Sequence, residues 1–356
     1  MSTESIFFPN SAFLTGALPS NNNNNNAITQ PPPSRPPSRP PGATAPPGSM
    51  ARQKCVEYER YAPTARYGID KDCVPNHTYP IGGNPAIARE FAHMALLGYG
   101  GRPESLQYLC GGSLISTMWV MTAAHCLFAD EDPVSHALLG ELVRDRTDDD
   151  AYPQLIPVAQ AVAHPDFKRP AYYNDIALLR LQWSPNMTTE HVRPACLQVD
   201  RQLEKEKVYL TGWGFTTRGK PAPRAARPPP LSAPPHAGSV SPAGGNPATA
   251  LMEVALYRTK YEDCAKRYTG PQVRRFMPRG VDDETQLCAG ADQLLKDACK
   301  GDSGGPIQSP VIKETCMYKL VGVVSLGLGC GFAQPGIYTR VSHYVPWIES
   351  VVWPDP

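Results

Sequence analysis

Short apolar runs alternate with turns from about residue 81 to the end of the chain. The runs are rich in β-branched and apolar residues and cover 113–124, 155–163, 176–181, 207–212, 318–325 and 336–341. Short strands with glycine-rich turns between them are typical of an all-β barrel or sandwich. Helical periodicity occurs only within 343–352, where apolar residues recur at i, i+3, i+4 and i+7, namely Tyr344, Trp347, Ile348 and Val351.

Other stretches lack this pattern. Residues 1–50 contain a run of asparagines and a proline-rich segment, a composition that cannot bury enough apolar surface to fold. We expect a disordered tail there, acting as a linker or, as the less favoured alternative, as a ligand for a proline-recognising module. Residues 51–80 are interpreted as a tether to the globular part. Residues 219–247 hold nine prolines and are either a flexible surface insertion or translated intron.

Charge and cysteines narrow the class of protein. The chain has 356 residues and a net charge of +1, which gives no field to attract nucleic acid or an anionic membrane. Its ten cysteines are spread singly, which indicates structural disulfides and an oxidising, extracellular compartment. Residues 1–20 make a poor signal peptide, so either the true start lies upstream or the start is wrong. No later stretch reaches the roughly 18 apolar residues of a membrane span.

Three short strings are candidates for chemistry. They are Thr122-Ala123-Ala124-His125-Cys126, Asn174-Asp175-Ile176-Ala177-Leu178-Leu179 and Gly301-Asp302-Ser303-Gly304-Gly305-Pro306. Each is weak by itself, since a histidine beside a cysteine is more often structural and an aspartate before an apolar strand is usually a turn residue. Together they supply a hydroxyl nucleophile, an imidazole base and a carboxylate that orients the base.

The order His…Asp…Ser in these strings resembles the chymotrypsin family of serine proteases, over about residues 81–353. The resemblance implies a peptidase domain over 81–356, built as two antiparallel six-stranded Greek-key β-barrels with a C-terminal α-helix. It implies that Ser303 attacks the scissile carbonyl, that His125 moves the proton and that Asp175 orients His125. The N–H groups of Gly301 and Ser303 are then expected to bind the oxyanion, with no cofactor and no metal.

The same resemblance implies the choice of substrate. Asp297, six residues before the nucleophile, matches the carboxylate with which trypsin-like members select Arg or Lys by charge pairing. Leu326 departs from many relatives, which carry an aromatic residue there, and is expected to alter the neighbouring subsite. The walls of the specificity pocket are expected at Ser325, Gly327 and Gly336.

Disulfide pairs are also implied by the resemblance. They are Cys110–Cys126, Cys264–Cys288, Cys299–Cys330 and Cys73–Cys196, with Cys55 and Cys316 left for each other. The strings around Cys55 and Cys316 look like the snake-type group of arthropod clip-domain proteases. Those proteases act in haemolymph cascades for immunity or dorsal–ventral patterning, although residues 1–50 hold no six-cysteine clip module.

The activation junction departs from the family pattern. Cleavage in this family frees an apolar terminus whose amine pairs with the aspartate before the nucleophile, here Asp302. In Tyr79-Pro80-Ile81-Gly82-Gly83, counting back from the glycines puts Pro80 at the position of the new amino-terminal residue. Cleavage before Ile81 would instead leave the new terminus one residue short. Proline is a secondary amine with a fixed φ and fits poorly. Either a residue is missing or the protein is a catalytically silent, protease-like binding or regulatory protein.

The remaining features concern secretion and partners. Sequons at Asn76 and Asn186 fit a secreted glycoprotein. Residues 148–150 are acidic, and a solvated loop is favoured there over a calcium site. The expected partners are protein substrates with Arg or Lys at the cleaved bond, an upstream activating protease and serpin-type inhibitors, but neither nucleic acid nor a membrane.

Overall fold

The apolar runs form β-strands in the computed structural model, which describes residues 46–61, 83–128, 132–144, 146–214, 248–290, 301–312, 316–327 and 334–354. The strands are β1 (Asn84–Pro85), β2 (Met94–Tyr99), β3 (Gln107–Leu114), β4 (Trp119–Thr122), β5 (Val134–Leu139), β6 (Gln154–Ala163), β7 (Ala177–Leu181), β8 (Cys196–Leu197), β9 (Lys207–Gly212), β10 (Met252–Thr259), β11 (Gln286–Gly290), β12 (Pro306–Ile312), β13 (Met317–Leu326) and β14 (Gly336–Arg340). The helices are α1 (Ser49–Tyr58), α2 (Tyr261–Arg267), α3 (Pro271–Arg274) and α4 (Val341–Val352).

Two closed barrels of six strands contain almost all of these strands. The first runs β2-β3-β4-β7-β6-β5 and closes where β5 pairs with β2. The second runs β10-β11-β14-β13-β12-β9 and closes where β9 pairs with β10. All of these pairings are antiparallel. The predicted architecture of two six-stranded antiparallel barrels is therefore confirmed.

The predicted run 113–124 is a hairpin rather than one strand. Its first two residues end β3, and β4 begins at Trp119. The turn between them is closed by the N–H of Ile115, which donates to the carbonyl of Trp119 at 2.8 Å. Continuous hydrophobicity cannot distinguish one buried strand from two strands joined by a buried turn.

The prediction that helix occurs only at the C-terminus is wrong. The C-terminal helix α4 is present, but α1, α2 and α3 precede it. Helix α1 buries only Ala51 and Tyr58, so its sequence carries no apolar face that periodicity could detect. Its first N–H groups are capped by Glu349 of α4, whose carboxylate accepts from Gly48 N at 2.9 Å and Ala51 N at 2.8 Å. Tertiary contacts of this kind stabilise short helices that would be marginal alone.

Helix α4 is the amphipathic element among the four. It starts two residues earlier than the segment predicted from periodicity, and Tyr344 and Ile348 are buried as expected. Trp347 and Val351 are only partly buried, because the buried face also uses Val341, Val345 and Val352. None of the helices that the structure describes is long and apolar enough to cross a membrane.

The disulfides differ from the implied pairing at one important place. Cys110–Cys126 and Cys264–Cys288 are present, as the resemblance implies. Cys196, however, pairs with Cys55, so the pairings Cys73–Cys196 and Cys55–Cys316 are wrong. The reason is that α1 lies against β8 and brings the two Cα atoms of Cys55 and Cys196 to 4.9 Å. Cys316 is disulfide-bonded, whereas Cys73, Cys299 and Cys330 lie outside the described residues.

Two glutamates are buried beside β1 and β10. The exposed fractions of Glu90 and Glu253 are 1% and 2%, and one carboxylate oxygen of each has no hydrogen-bond partner. Burial raises the pKa of Glu90 to about 8, with a further contribution from the nearby Glu253 carboxylate. Burial likewise raises the pKa of Glu253 to about 7. Both side chains therefore favour the protonated form in the folded protein up to near-neutral pH.

Glu253→Gln should stabilise the protein at alkaline pH. The pKa of Glu253 in the folded protein lies above the ordinary value of 4.5. The contribution of the protonated Glu253 to stability is therefore fully present below about pH 4.5 and is lost as pH rises through about 7. Glutamine does not ionise. The free energy of unfolding of the Glu253→Gln variant should therefore exceed that of the native protein by on the order of 2 kcal/mol at about pH 8, with no gain at about pH 4. Urea unfolding at the two pH values measures this, with the exposed Glu104→Gln as control; an equal gain at both would contradict it.

Candidate active site

The register of the first barrel brings His125 and Asp175 together. Thr122, the last residue of β4, pairs with Ala177, the first residue of β7. His125 lies three residues after Thr122 in a tight turn, and Asp175 lies two residues before Ala177. His125 Nδ1 is 2.8 Å from Asp175 Oδ2, and the His125 N–H donates to Asp175 Oδ1 at 2.9 Å.

Asp175 is completely buried, with 0% of its surface exposed. Ser325 of β13 donates its hydroxyl to Asp175 Oδ2 at 2.5 Å. Thr339 of β14 donates its hydroxyl to the Asp175 carbonyl at 2.8 Å. The second barrel therefore fixes the carboxylate that holds a histidine of the first barrel. A buried carboxylate held by three donors can orient an imidazole and stabilise its charged form.

Ser303 lies in a loop that packs against both sides of the histidine turn. Its carbonyl accepts the N–H of Gly111 at 2.8 Å. Gly304 has φ +76°, and a Cβ there would overlap Thr122 Oγ1 and approach Cys126 Sγ to 3.1 Å. Among the described residues, Ser303 Oγ makes no hydrogen bond, while His125 Nε2 lies 3.6 Å from Cys126 Sγ. Catalytic hydrogen bonds of this kind often form only when substrate binds.

Asp302, the residue before Ser303, has its carboxylate packed against two glycines at the end of β9. Asp302 is buried, and its Oδ1 accepts the N–H of Gly214 at 2.8 Å. Side chains at Gly212 or Gly214 would overlap this carboxylate. Gly301 has φ +100°, a region that favours glycine. Within the described residues, the N–H groups of Gly301 and Ser303 donate to no acceptor.

The predicted pocket residues are only partly described. A Cβ at Gly327 would meet open space, and Leu326 pairs with Ile337 so that the two expected walls lie side by side. Gly336 is buried beside Tyr338. The Ser325 hydroxyl binds Asp175. Only the backbone of Ser325 is then left to form the expected wall of the specificity pocket. Asp297, Ile81 and Asn76 lie outside the described residues.

Two features beside the catalytic pair were missed by sequence reasoning. The Tyr172 ring lies 5.5 Å from the His125 ring, measured between centroids. Arg169 donates to the carbonyls of His125 and Phe128 at 2.7 and 3.1 Å. Neither residue belongs to one of the three strings. Among the described residues, the cluster resembling a metal site is Cys110, His125 and Cys126, but its two sulfurs are joined in a disulfide.

Comparisons with known proteins agree with this geometry. The Trypsin family model matches residues 80–229 and 232–348. The chain is 33% identical to serine protease snk of Drosophila melanogaster over 85% of its own length and 65% of that protein. It is 32% identical to serine protease Hayan of the same fly, over 88% of its own length and 45% of that protein. Phenoloxidase-activating factor 1 of Holotrichia diomphalia is 30% identical, over 81% and 72%. The chain therefore spans less than two thirds of the two fly proteins.

Proposed function

The chain belongs to the trypsin family of serine proteases, and from that membership we propose that it is a secreted endopeptidase, made as a zymogen, that cleaves after Arg or Lys in an extracellular cascade. The observation that carries the proposal is the buried Asp175 carboxylate holding His125 next to the loop of Ser303. The three motifs of the family are present in order. The pairing of β4 with β7 brings the first two together, and Gly304 of the third lies against Thr122 and Cys126 of the first.

The proposed reaction is acyl transfer. Ser303 Oγ forms a bond to the scissile carbonyl carbon while its proton passes to His125 Nε2. The oxyanion accepts hydrogen bonds from the N–H groups of Gly301 and Ser303. Each of these bonds stabilises the transition state by on the order of 3 kcal/mol. His125 then protonates the leaving amine, the C–N bond breaks, and water releases the acyl group by the reverse steps.

Zymogen activation in this proposal works through Asp302. Its carboxylate lies at the base of the loop that carries Gly301 and Ser303, in a pocket lined by Gly212 and Gly214. A new amino terminus that pairs with Asp302 would hold this loop in place. The terminus is released near Ile81, where Pro80 leaves either a poor amine or a chain one residue short.

Several observations support the extracellular placement. All seven described cysteines are in disulfides, as expected in an oxidising compartment. Asn186 is exposed, and the Thr188 hydroxyl donates to its side-chain oxygen at 2.7 Å, an accessible arrangement for a glycosylation sequon. The names of two relatives refer to phenoloxidase activation, that is, to proteolytic activation of another protein. The proposed setting is a cascade in innate immunity or development. The proposed partners are an upstream activating protease, protein substrates and serpin-type inhibitors.

The charge preference provides the test of this function. Asp297→Ser in the full chain, cleaved at its junction, should lower kcat/KM for an arginyl amide by about 1,000-fold, because the basic side chain loses the carboxylate that is proposed to pair with it. Asp292→Ser, in the same stretch of sequence, is the matched control and should change kcat/KM little. Labelling of Ser303 by a fluorophosphonate should persist in both variants, because neither change touches the nucleophile.

The rival function predicts a different outcome. A catalytically silent, protease-like binding protein would show neither turnover nor fluorophosphonate labelling after cleavage at the junction has been verified. That result would contradict the proposed protease, whereas labelling with turnover of neutral rather than basic substrates would contradict only the specificity for Arg or Lys.

A further inference from the structure

A pair of aromatic rings extends the surface beside His125. The Tyr172 ring, in contact with His125, meets the Phe276 ring edge-on at a centroid distance of 5.8 Å. The Tyr172 N–H also donates to the Phe276 carbonyl at 2.9 Å. The residues after α3 are therefore anchored to the loop that leads into Asp175, directly next to the catalytic histidine.

This surface carries an excess of positive charge. Residues 164–175 and 270–281 contain five Lys or Arg and two Asp, one of which is the buried Asp175. Four of the five cations, all exposed, form what we name the basic rim: Lys168, Arg274, Arg275 and Arg279. None of these four makes an ion pair with a described residue.

The neighbouring acids offset this charge only in part. Asp282 accepts hydrogen bonds from Glu284 N and Thr285 Oγ1. Asp283 forms ion pairs with Arg201 and Arg340. Asp166, on the same loop as Lys168, is exposed and is the nearest unpaired acid in the sequence.

Two of the cations are held in place by aromatic faces. The Arg279 guanidinium carbon lies 4.4 Å from the centroid of the Tyr173 ring, and that of Arg275 lies 5.6 Å from the Phe276 ring. Such contacts restrict the side chain while leaving its N–H donors free. A carboxylate that binds there would lose less side-chain entropy than at a freely moving arginine.

The position of the rim indicates which part of a substrate it meets. His125 Nε2, which protonates the leaving amine in the proposed reaction, lies 3.6 Å from Cys126 Sγ. In that reaction we therefore place the residues after the cleaved bond on the side of the Cys110–Cys126 disulfide. Leu326, beside the expected pocket wall, packs on the cluster that includes Tyr173 and Met277. A chain whose basic side chain fills the pocket therefore places its preceding residues toward the rim.

We propose that the basic rim binds acidic residues that precede the cleaved bond in the protein substrate. The inference rests on the proposed function and adds a second determinant of specificity to the charge at Asp297. An exposed charge pair contributes little by itself, but several cations beside one cleft act together on both binding and approach of the substrate.

The test compares two peptides that are cleaved after the same arginine. The three residues that precede this arginine are glutamates in one peptide and glutamines in the other. With the full chain cleaved at its junction, kcat/KM should be roughly 10-fold higher for the acidic peptide in low salt. The ratio should approach unity in about 0.5 M salt, because the charges are exposed to screening. Arg275→Gln with Arg279→Gln removes half of the rim's cations and should also lower the ratio clearly.

A control and the contradicting results complete the design. Arg180→Gln with Lys205→Gln removes two exposed, unpaired cations elsewhere and should keep the preference. A preference that survives the Arg275 and Arg279 changes, or one that appears only when glutamates follow the bond, would overturn the inference. Absence of turnover for every arginyl peptide would instead contradict the proposed protease function, so the two failures are distinguishable.

Discussion

Ser303→Ala should lower kcat for an arginyl amide by about a million-fold, while KM stays within a few-fold of its native value. The hydroxyl is the group that forms the acyl-enzyme bond, and no neighbouring side chain can replace it. The remaining rate comes from substrate binding and the oxyanion hole, which the substitution leaves in place. Steady-state kinetics on the full chain cleaved at its junction measures the change.

The structure indicates that this variant folds normally. The Ser303 contact recorded within the described residues is made by its backbone carbonyl, which accepts from Gly111 N, and alanine preserves that hydrogen bond. The matched control is Ser350→Ala on α4, whose hydroxyl bonds only within its own helix. Ser303→Ala should also abolish fluorophosphonate labelling. Retention of more than about a tenth of the native kcat would assign the nucleophile to another residue.

The approach of His125 to Asp175 could be predicted from the sequence because it depends on local register. Antiparallel pairing of β4 with β7 sets the turn of His125 opposite the start of the strand after Asp175. The partners supplied by the second barrel could not be predicted so directly. The resemblance implies a pocket wall at Ser325 but does not predict that its hydroxyl binds Asp175, because a side-chain direction depends on how the two barrels pack.

The region around α1 shows a different limit of sequence reasoning. Its pattern of residues predicts a tether, yet Tyr58 is buried and donates its hydroxyl to the Ile115 carbonyl at 3.0 Å. The helix is held by Glu349, about 300 residues away in sequence, and by the disulfide to Cys196. No local signal encodes contacts of such long range. The error in the disulfide assignment follows directly, since nothing in a supposed tether determines which cysteine reaches Cys196.

Asp175→Asn should be nearly as damaging as loss of the nucleophile, for a reason that the hydrogen bonds specify. Asp175 Oδ1 accepts from the His125 N–H, a backbone donor that cannot turn. In asparagine, the single oxygen must therefore stay at this position, and the NH₂ group takes the place of Oδ2. There it faces His125 Nδ1 and the Ser325 hydroxyl. Nδ1 must become an acceptor, so the imidazole proton moves to Nε2, which can then no longer take the proton of Ser303.

We expect kcat to fall by about 10,000-fold in Asp175→Asn, with the fold unchanged. Ser325→Ala is the matched comparison, because it removes one hydrogen bond from Oδ2 but keeps the carboxylate and the tautomer. Its kcat should fall by about 10- to 100-fold, far less than in Asp175→Asn, since the net contribution of one hydrogen bond to a charged group is about 1.5–3 kcal/mol. Measuring kcat of both variants on the same arginyl amide distinguishes an effect on the charge and tautomer of the imidazole from an effect on packing around Asp175. Equal losses in the two variants would show that Asp175 acts through the interface between the barrels rather than through His125.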